Sequence, residues 1–197
     1  MRLDRAALSG HTAAMRKILA SAITSLTAAT LMLSAGSAHA SLPVGAKAPA
    51  FVTQGAKGGK PLTFDLRKAL KKGPVVLYFY PKAFTQGCTL EAHAFAEASD
   101  DFAKLGATVV GMSADDLPTL QKFSTEACRD KFAVATASPA VIKGYDVALS
   151  RPGMPSGMTD RTSYVIARNG RIAFVHSELD YRDHVKLTME AVRKLAK

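Results

Sequence analysis

The sequence of 197 residues contains only two cysteines, Cys88 and Cys128, and it has no Cys-x-x-Cys pair. The missing pair excludes a zinc knuckle and a thioredoxin-type dithiol encoded within a single turn of the chain. Two isolated cysteines leave two interpretations open. They could form one structural disulfide in an oxidising compartment, or at least one of them could be a reactive thiol.

Clustered positive charge and clustered metal ligands are also missing. Lysine and arginine outnumber the acidic residues by 26 to 16, but they are scattered, with no arginine-rich arm and no nucleic-acid motif. We therefore expect a solvated basic surface and no nucleic-acid partner. After residue 40, the only histidines are His93, His176 and His184, so the sequence does not support a histidine metal cluster.

Residues 1–40 have the composition of a secretory signal peptide. Arg16 and Lys17 precede an apolar run, 18–33, and small residues around position 39 end with Ala40 at a small-x-small cleavage site. The run is shorter than the roughly twenty apolar residues of a membrane span, so we expect cleavage after Ala40. An uncleaved membrane anchor is the alternative. Cleavage predicts an exported protein, in the bacterial periplasm or secreted, with no stable membrane association.

The remaining residues, 41–197, suit one domain with a sizeable hydrophobic core. Removing residues 1–40 takes away four basic side chains and one acidic one, which lowers the formal charge from +10 to +7. No internal repeat and no second domain boundary is visible in this segment. The sequence therefore predicts a single domain from Ser41 to Lys197.

Strand and helix patterns alternate through the middle of the chain. Six consecutive large apolar or aromatic residues end at Tyr80, just before Pro81, and predict a central strand buried on both faces. Apolar residues at helical spacing between Leu90 and Leu105 predict a helix after Cys88. A second strand over 108–112 and a helix from Leu117 follow. This order predicts a parallel sheet with right-handed crossovers.

Hairpin patterns lie on either side of this central part. The apolar segments 50–53 and 62–64 flank a glycine-rich loop, 54–61, and predict a hairpin with a loose connection. Asn169-Gly170, between two apolar runs, predicts a second hairpin. The segment 150–160 is rich in proline and glycine and predicts a long loop near the site. A C-terminal helix with one apolar face can cover the sheet.

Cys88 lies where the central strand turns into a helix. Unpaired backbone N–H groups and the helix dipole at such a position favour the thiolate, and cysteines there can have pKa values of roughly 3.5 to 7.5. Thr85 places a hydroxyl on the same turn, where it can donate to the sulfur or cap the helix. Taken alone, Arg161 is typical of a surface arginine.

These residues resemble a known family. Pro81-x-x-x-Thr85-x-x-Cys88, after the strand Val-Val-Leu-Tyr-Phe-Tyr, is similar to the active-site signature of the peroxiredoxins. The resemblance extends to the lead-in Pro-Val-Gly-Ala-Lys-Ala-Pro and to Arg161-Thr-Ser-Tyr-Val-Ile, and it is closest to the bacterioferritin-comigratory-protein branch of thiol peroxidases. It implies a thioredoxin-like α/β fold, with a central mixed sheet flanked by helices and an N-terminal β-hairpin, and no metal or organic cofactor.

The resemblance also implies a role for each residue of the signature. Cys88 would be the peroxidatic cysteine that attacks the peroxide O–O bond and becomes a sulfenic acid. Thr85 would hydrogen-bond the peroxide and the sulfur, Pro81 would shield the sulfenate, and Arg161 would hold the thiolate and polarise the peroxide. A peroxide is then the substrate, and a thioredoxin-like dithiol or a small thiol is the reductant.

The signature does not include the residue that resolves the sulfenic acid. Many members of the branch have a second cysteine five residues after the first, and that position is His93 here. Cys128 falls near the edge of the next apolar helical stripe, so we expect partial exposure and prefer it as the resolving thiol. A buried bystander and a one-cysteine enzyme are the alternatives. Bridging needs Cα atoms within about 7 Å, and hence local unwinding.

Together these patterns predict an exported peroxidase that reduces hydrogen peroxide and small organic hydroperoxides. Two alternatives remain open at this stage. One is an exported thiol-disulfide oxidoreductase, which the missing Cys-x-x-Cys pair disfavours. The other is a non-enzymatic binding module with a structural disulfide between Cys88 and Cys128.

Overall fold

The structure is a computed structural model that describes residues 41–196, so the predicted signal peptide and its cleavage site lie outside the described residues. Within this range, no helix combines the length and apolar character needed to cross a membrane. Seven strands and five α-helices follow one another in the described chain, with one 3-10 helix, Tyr181–Asp183, before the last of them: β1 Val52–Lys57, β2 Lys60–Asp65, α1 Leu66–Lys72, β3 Val75–Phe79, α2 Gln86–Lys104, β4 Thr108–Ser113, α3 Leu117–Glu126, β5 Ala133–Thr136, α4 Pro139–Tyr145, β6 Thr162–Ile166, β7 Ile172–Ser177 and α5 His184–Leu195.

The seven strands form one mixed sheet in the order β2-β1-β5-β4-β3-β6-β7. Strands β3, β4 and β5 are parallel, and the α2 and α3 crossovers connect them, as the alternating strand and helix patterns predicted. Strand β6 pairs antiparallel with β3, and β7 pairs antiparallel with β6 at the edge of the sheet, while β1 and β2 form the N-terminal hairpin at the other edge. The predicted thioredoxin-like α/β fold is confirmed.

The N-terminal hairpin is tighter than the sequence predicted. Lys57 pairs with Lys60, so the connection is only Gly58-Gly59, and both glycines have positive φ values of 56° and 72°. The predicted loose loop over 54–61 was therefore wrong. Gly55 belongs to the strand, because β5 runs so close that a side chain at Gly55 would collide with the backbone oxygen of Val134.

Strand β3 lies at the centre of the sheet, and all five of its residues are buried. Alternate side chains point to opposite faces of the sheet. Val76 and Tyr78 pack into the core beneath α2, α3 and α5, whereas Val75 and Leu77 pack into the core beneath α1 and α4. The apolar run at 75–80 therefore reflects a strand covered on both sides, as predicted.

Helix α2 turns a different face to the core from the one predicted. Leu90 is 41% exposed, although the apolar pattern placed it in the buried stripe. The buried face consists of Cys88, Glu91, Ala92, Phe95, Ala96 and Phe102. Cys88 and Phe95 point inward and set the rotation of the helix about its axis. Residues three, four and eight positions after Cys88 lie on the same face and are therefore buried with them.

Tyr78 joins the centre of the sheet to α2. Its ring stacks on Phe95 with centroids 4.3 Å apart and planes inclined at 17°. On the neighbouring strand, its register partner is Gly111. A Cβ atom at Gly111 would lie 2.8 Å from both Cζ and the hydroxyl oxygen of Tyr78. Gly111 therefore provides the space that the tyrosine ring occupies under the helix.

We predict that Gly111→Ala destabilises the fold by about 1–3 kcal/mol, because the buried Tyr78 ring cannot move without disturbing Phe95. The matched control is Gly144→Ala in α4, where the new Cβ would meet only Pro49 at 3.6 Å. That substitution should be neutral or stabilising by about 0.5–1 kcal/mol. Urea unfolding of the two variants measures the difference, and equal stability losses would contradict this account.

Candidate active site

The turn after β3 is anchored at two points, Tyr80 and Ala83. The backbone N–H of Ala83 donates to Asp115 Oδ2 at 2.7 Å, and the Ser113 hydroxyl donates to the same oxygen at 2.8 Å. The Thr159 hydroxyl donates to the backbone oxygen of Tyr80 at 2.6 Å. Asp115 and Thr159 were not recognised in the sequence. They fix the turn that presents the cysteine, because they satisfy its buried backbone groups.

Phe84 is the strained residue of this turn. It has a left-handed φ of 64°, which is unusual for a bulky residue without a positional reason. Its ring is partly exposed and packs edge-on against Phe123 of α3, with centroids 5.2 Å apart. The packing against α3 holds the turn in a conformation that its backbone alone would disfavour.

Cys88 is the third residue of α2, one turn from the N-cap Thr85. The first α-helical hydrogen bond runs from Thr89 N–H to the Thr85 carbonyl, at 2.9 Å. The amides of the first three residues of a helix have no partner within it, so they point their positive ends toward this region. The thiol is only 1% exposed, and its environment is both positively polarised and largely closed to water.

Thr85 and Pro81 lie at the outer side of the cysteine. The Thr85 hydroxyl donates to the Lys82 carbonyl at 3.0 Å, and its side chain is exposed. In this arrangement the described hydrogen bond of Thr85 is to the backbone and not to the sulfur. Pro81 and Thr85 line one cavity of about 450 Å³, together with Met154 and Met158 from the long loop. The loop 150–160 therefore lines a cavity beside the turn that precedes the cysteine.

Arg161 lies directly against Cys88, although the two residues are 73 positions apart. Its Nη2 is 3.4 Å from the sulfur, and its Nε donates to the Leu179 carbonyl at 2.8 Å. The side chain is buried, so this arginine is not the surface residue that it would be in isolation. Burial acts to lower the pKa of Arg161, but Glu91 and Cys88 more than offset it and raise that pKa, so the guanidinium stays charged.

Glu91 is a buried acidic residue that the sequence analysis missed. It lies one turn after Cys88 on the inward face of α2, and its Oε2 accepts a hydrogen bond from Arg161 Nη1. Burial raises the pKa of Glu91 to about 8, although the positive charge of Arg161 opposes this shift. Three side chains thus form one chain of contacts from sulfur to guanidinium to carboxyl. The sequence does contain a signal for Glu91, since an acidic residue three positions after the cysteine lies on the same face of the helix.

His184 closes the far side of this cluster from the first turn of α5. Its side chain is fully buried, and its Nδ1 lies 2.8 Å from the Ser163 hydroxyl and 3.7 Å from Glu91 Oε1. Its Nε2 lies 2.9 Å from the Glu178 carbonyl. Burial lowers the pKa of His184 to about 4, so the ring is neutral at physiological pH.

Cys128 follows α3 and is 0% exposed, so the predicted partial exposure was wrong. The reason is that it lies past the end of α3 at Glu126, in a turn that folds back onto the core. Cys88 and Cys128 belong to the same apolar cluster, on the same side of the sheet, and both are free thiols. Burial raises the pKa of Cys128 far above its ordinary value. His93, which occupies the position five residues after Cys88 where many members of the branch have their second cysteine, is half-buried.

The cluster contains nucleophile, cation and acid, but it is not built like a metal centre. Within residues 41–196, no group of three or more His, Cys, Asp or Glu side chains is placed to hold a metal ion. The arrangement instead suits a reaction in which a sulfur nucleophile attacks and Arg161 stabilises the negative charge that develops.

Comparison with known proteins agrees with this geometry. The model of the AhpC/TSA family matches residues 44–175. A putative peroxiredoxin bcp of Coxiella burnetii is 33% identical over 147 residues, covering 74% of this chain and 95% of its own. The chloroplastic peroxiredoxin Q of Suaeda salsa is 30% identical over 154 residues, covering 73% of this chain and 71% of its own. The crystal structure of peroxidoxin BcpB from Mycobacterium tuberculosis is 29% identical, with a TM-score of 0.66, and the match covers 77% of this chain and 97% of that one.

Proposed function

The chain belongs to the AhpC/TSA family and is a peroxiredoxin, and from this premise we propose that Cys88 reduces hydrogen peroxide and small organic hydroperoxides. The observation that carries the assignment is the 3.4 Å contact between Arg161 Nη2 and Cys88 Sγ in a buried site. A cation held against a sulfur favours its thiolate form. Cys128 has no such partner among the contacts of the described residues and is therefore the weaker nucleophile.

The first step transfers one oxygen atom from the peroxide to sulfur. The Cys88 thiolate attacks the nearer peroxide oxygen, the S–O bond forms as the O–O bond breaks, and the leaving oxygen takes a proton to become water or an alcohol. Negative charge spreads over both oxygens in the transition state. Arg161 is already in place to stabilise that charge, which lowers the barrier more than it stabilises the ground state.

The second step is proposed to use Cys128. Its sulfur attacks the sulfenic acid of Cys88, an S–S bond forms, and water leaves. Both cysteines lie in the same core cluster, which supports the pairing, but both are buried, so the step requires local opening of the chain. An external dithiol of the thioredoxin type then reduces the disulfide by thiol-disulfide exchange, with a small thiol as the alternative reductant.

Export is part of the same proposal. It is supported by the basic pair, the apolar run and the small-x-small site in residues 1–40, which lie outside the described residues. We expect the periplasmic or secreted protein to begin at Ser41. N-terminal sequencing of the protein recovered from fractionated cells tests this, and a full-length protein retained in the membrane fraction would contradict it.

We predict that Cys88→Ser consumes no peroxide beyond the background reaction of the reductant, because the only activated sulfur is removed. The matched control is Cys128→Ser, which keeps Cys88 and should consume one equivalent of peroxide per chain in the absence of reductant. Stopped-flow measurement of peroxide consumption by the two variants provides the comparison. Full peroxidase turnover by Cys88→Ser would remove Cys88 from the mechanism.

We further predict that one equivalent of peroxide converts the wild-type protein to a Cys88–Cys128 disulfide. Disulfide formation should lag behind sulfenic acid formation and should be accelerated by mild urea, since Cys128 has to leave the core first. Mass spectrometry with a sulfenic-acid trap, applied over time, follows both species. A persistent sulfenic acid at Cys88 beside a free Cys128 would assign resolution to an external thiol instead.

A further inference from the structure

The carboxyl of Glu91 has two different environments in the buried cluster. Its Oε2 contacts Arg161, whereas its Oε1 is buried and has no hydrogen-bond partner among the described residues. The nearest nitrogen of a neighbouring ring, His184 Nδ1, lies 3.7 Å from that oxygen, and both side chains are 0% exposed. A buried oxygen without a hydrogen bond destabilises the fold, and more so when it is charged. The protonation state of Glu91 and the side of the His184 ring that faces it therefore both matter to this cluster.

The hydrogen bonds of His184 determine which of its nitrogens carries a proton. Nε2 lies 2.9 Å from the Glu178 carbonyl, which can only accept, so Nε2 must donate. In the neutral ring, Nδ1 is therefore an acceptor, and the Ser163 hydroxyl at 2.8 Å donates to it. An ionised Glu91 would then place a second acceptor beside the Nδ1 lone pair, with no proton between them.

We propose that Glu91 and His184 together hold one buried proton, and that this proton keeps the positive charge of Arg161 available to Cys88 and to peroxide. The inference rests on the proposed reaction of Cys88 with peroxide. Glu91 and His184 are positioning residues in this scheme, because they act through Arg161 and neither touches the reacting atoms.

The direction of each pKa shift agrees with a single shared proton. Burial raises the pKa of Glu91 to about 8 against the attraction of Arg161, and burial lowers the pKa of His184 to about 4. At pH 7 the proton is therefore on the carboxyl, where it removes the repulsion between an ionised Oε1 and the nearby Nδ1 lone pair. The pair is then neutral as a whole.

Charge balance explains why this proton matters for the reaction. With the pair neutral, the Cys88 thiolate and Arg161 form one balanced ion pair in a buried site. Loss of the proton adds a second negative charge against the same guanidinium, so Arg161 is shared between a carboxylate and a thiolate. The thiolate and the transition state both lose stabilisation, because buried charges interact strongly. The peroxide rate should fall as the pH rises past about 8, the pKa of Glu91.

Other titratable groups also face the pair, from each element packed against it. They are Tyr78 on β3, Cys88 on α2, Arg161 before β6, His176 on β7, and Glu178 and Asp180 in the segment before α5. Burial raises the pKa of Tyr78 well above its ordinary value, so Tyr78 stays neutral across the range tested. His176 stacks edge-on on His184 with centroids 4.6 Å apart, and the variants below leave it in place.

The test compares the pH dependence of the second-order rate constant for hydrogen peroxide in the wild type, three single variants and two double variants. In the wild type, the rate should decrease at high pH, and we call this decreasing part of the profile the alkaline limb. Above its midpoint the rate should fall about tenfold for each pH unit. Glu91→Gln keeps an uncharged partner for Arg161 at every pH, so its alkaline limb should disappear. Alkylation of Cys88 by iodoacetamide over the same pH range gives a readout that needs no peroxide.

Two substitutions at the ring should move the alkaline limb in opposite directions. His184→Asn places an amide N–H near Glu91 Oε1 that donates to the carboxylate and cannot accept a proton, so the limb should move down by about one pH unit. Ser163→Ala frees the Nδ1 lone pair to accept from Glu91, so the limb should move up. Neither change should shift the profile in a Glu91→Gln background.

The possible outcomes separate this inference from the function on which it rests. An alkaline limb that survives Glu91→Gln, or ring variants that lower the rate equally at every pH, would overturn the shared proton. Shifts of the same sign in His184→Asn and Ser163→Ala would also overturn it, since general loss of packing acts that way. If peroxide fails to react while the alkylation profiles shift as stated, the peroxide assignment is wrong and the proton pair remains.

Discussion

The buried guanidinium of Arg161 is the constraint on which the site depends. It is 5% exposed, and a charge removed from water destabilises a fold unless it is compensated at several points. All three nitrogens are used: Nη2 faces the sulfur of Cys88, Nη1 the carboxyl of Glu91, and Nε the carbonyl of Leu179. Each contact that stabilises the cation also fixes its position against the thiol. The contacts that stabilise this charge are therefore the same contacts that form the site.

The topology explains how residues so far apart in sequence meet at this cation. Strands β3 and β6 are antiparallel neighbours, and Phe79 at the end of β3 pairs with Thr162 at the start of β6. The turn that follows β3 and the residue that precedes β6 therefore share one edge of the sheet. The first turn of α2 carries Cys88 and Glu91 to that edge, and the first turn of α5 brings His184 to its other side.

The sequence predicted the parts of the site that local patterns encode. The apolar run before Pro81 predicts the central strand. Pro81 ends that strand, and the turn after it places Cys88 in the first turn of a helix. Glu91 was missed because helical periodicity favours Leu90 as the buried neighbour. The actual face is set by tertiary contacts, the stacking of Phe95 on Tyr78 and the pairing of Glu91 with Arg161, which no local pattern contains.

The burial of Cys128 depends on tertiary structure in the same way, and it indicates where a resolving movement would have to start. The turn of Cys88 is held by Asp115, by Thr159 and by Arg161. The turn of Cys128 is held by backbone hydrogen bonds, from Cys128 N–H to the Phe123 carbonyl at 3.1 Å and from Asp130 N–H to the Ser124 carbonyl at 3.0 Å.

Arg129 and Asp130, which follow Cys128, both have left-handed φ values, 49° and 59°, that disfavour residues other than glycine. The two ion pairs that join this turn to α2, Arg129 with Glu97 and Lys131 with Asp100, are exposed, and such pairs contribute only about 0–1 kcal/mol each. Opening the Cys128 turn breaks these exposed ion pairs and local backbone hydrogen bonds, whereas unwinding the first turn of α2 breaks the buried contacts of Arg161 with Cys88 and Glu91. A movement that carries Cys128 toward Cys88 would also leave Arg161, Glu91 and His184 in place for the next peroxide.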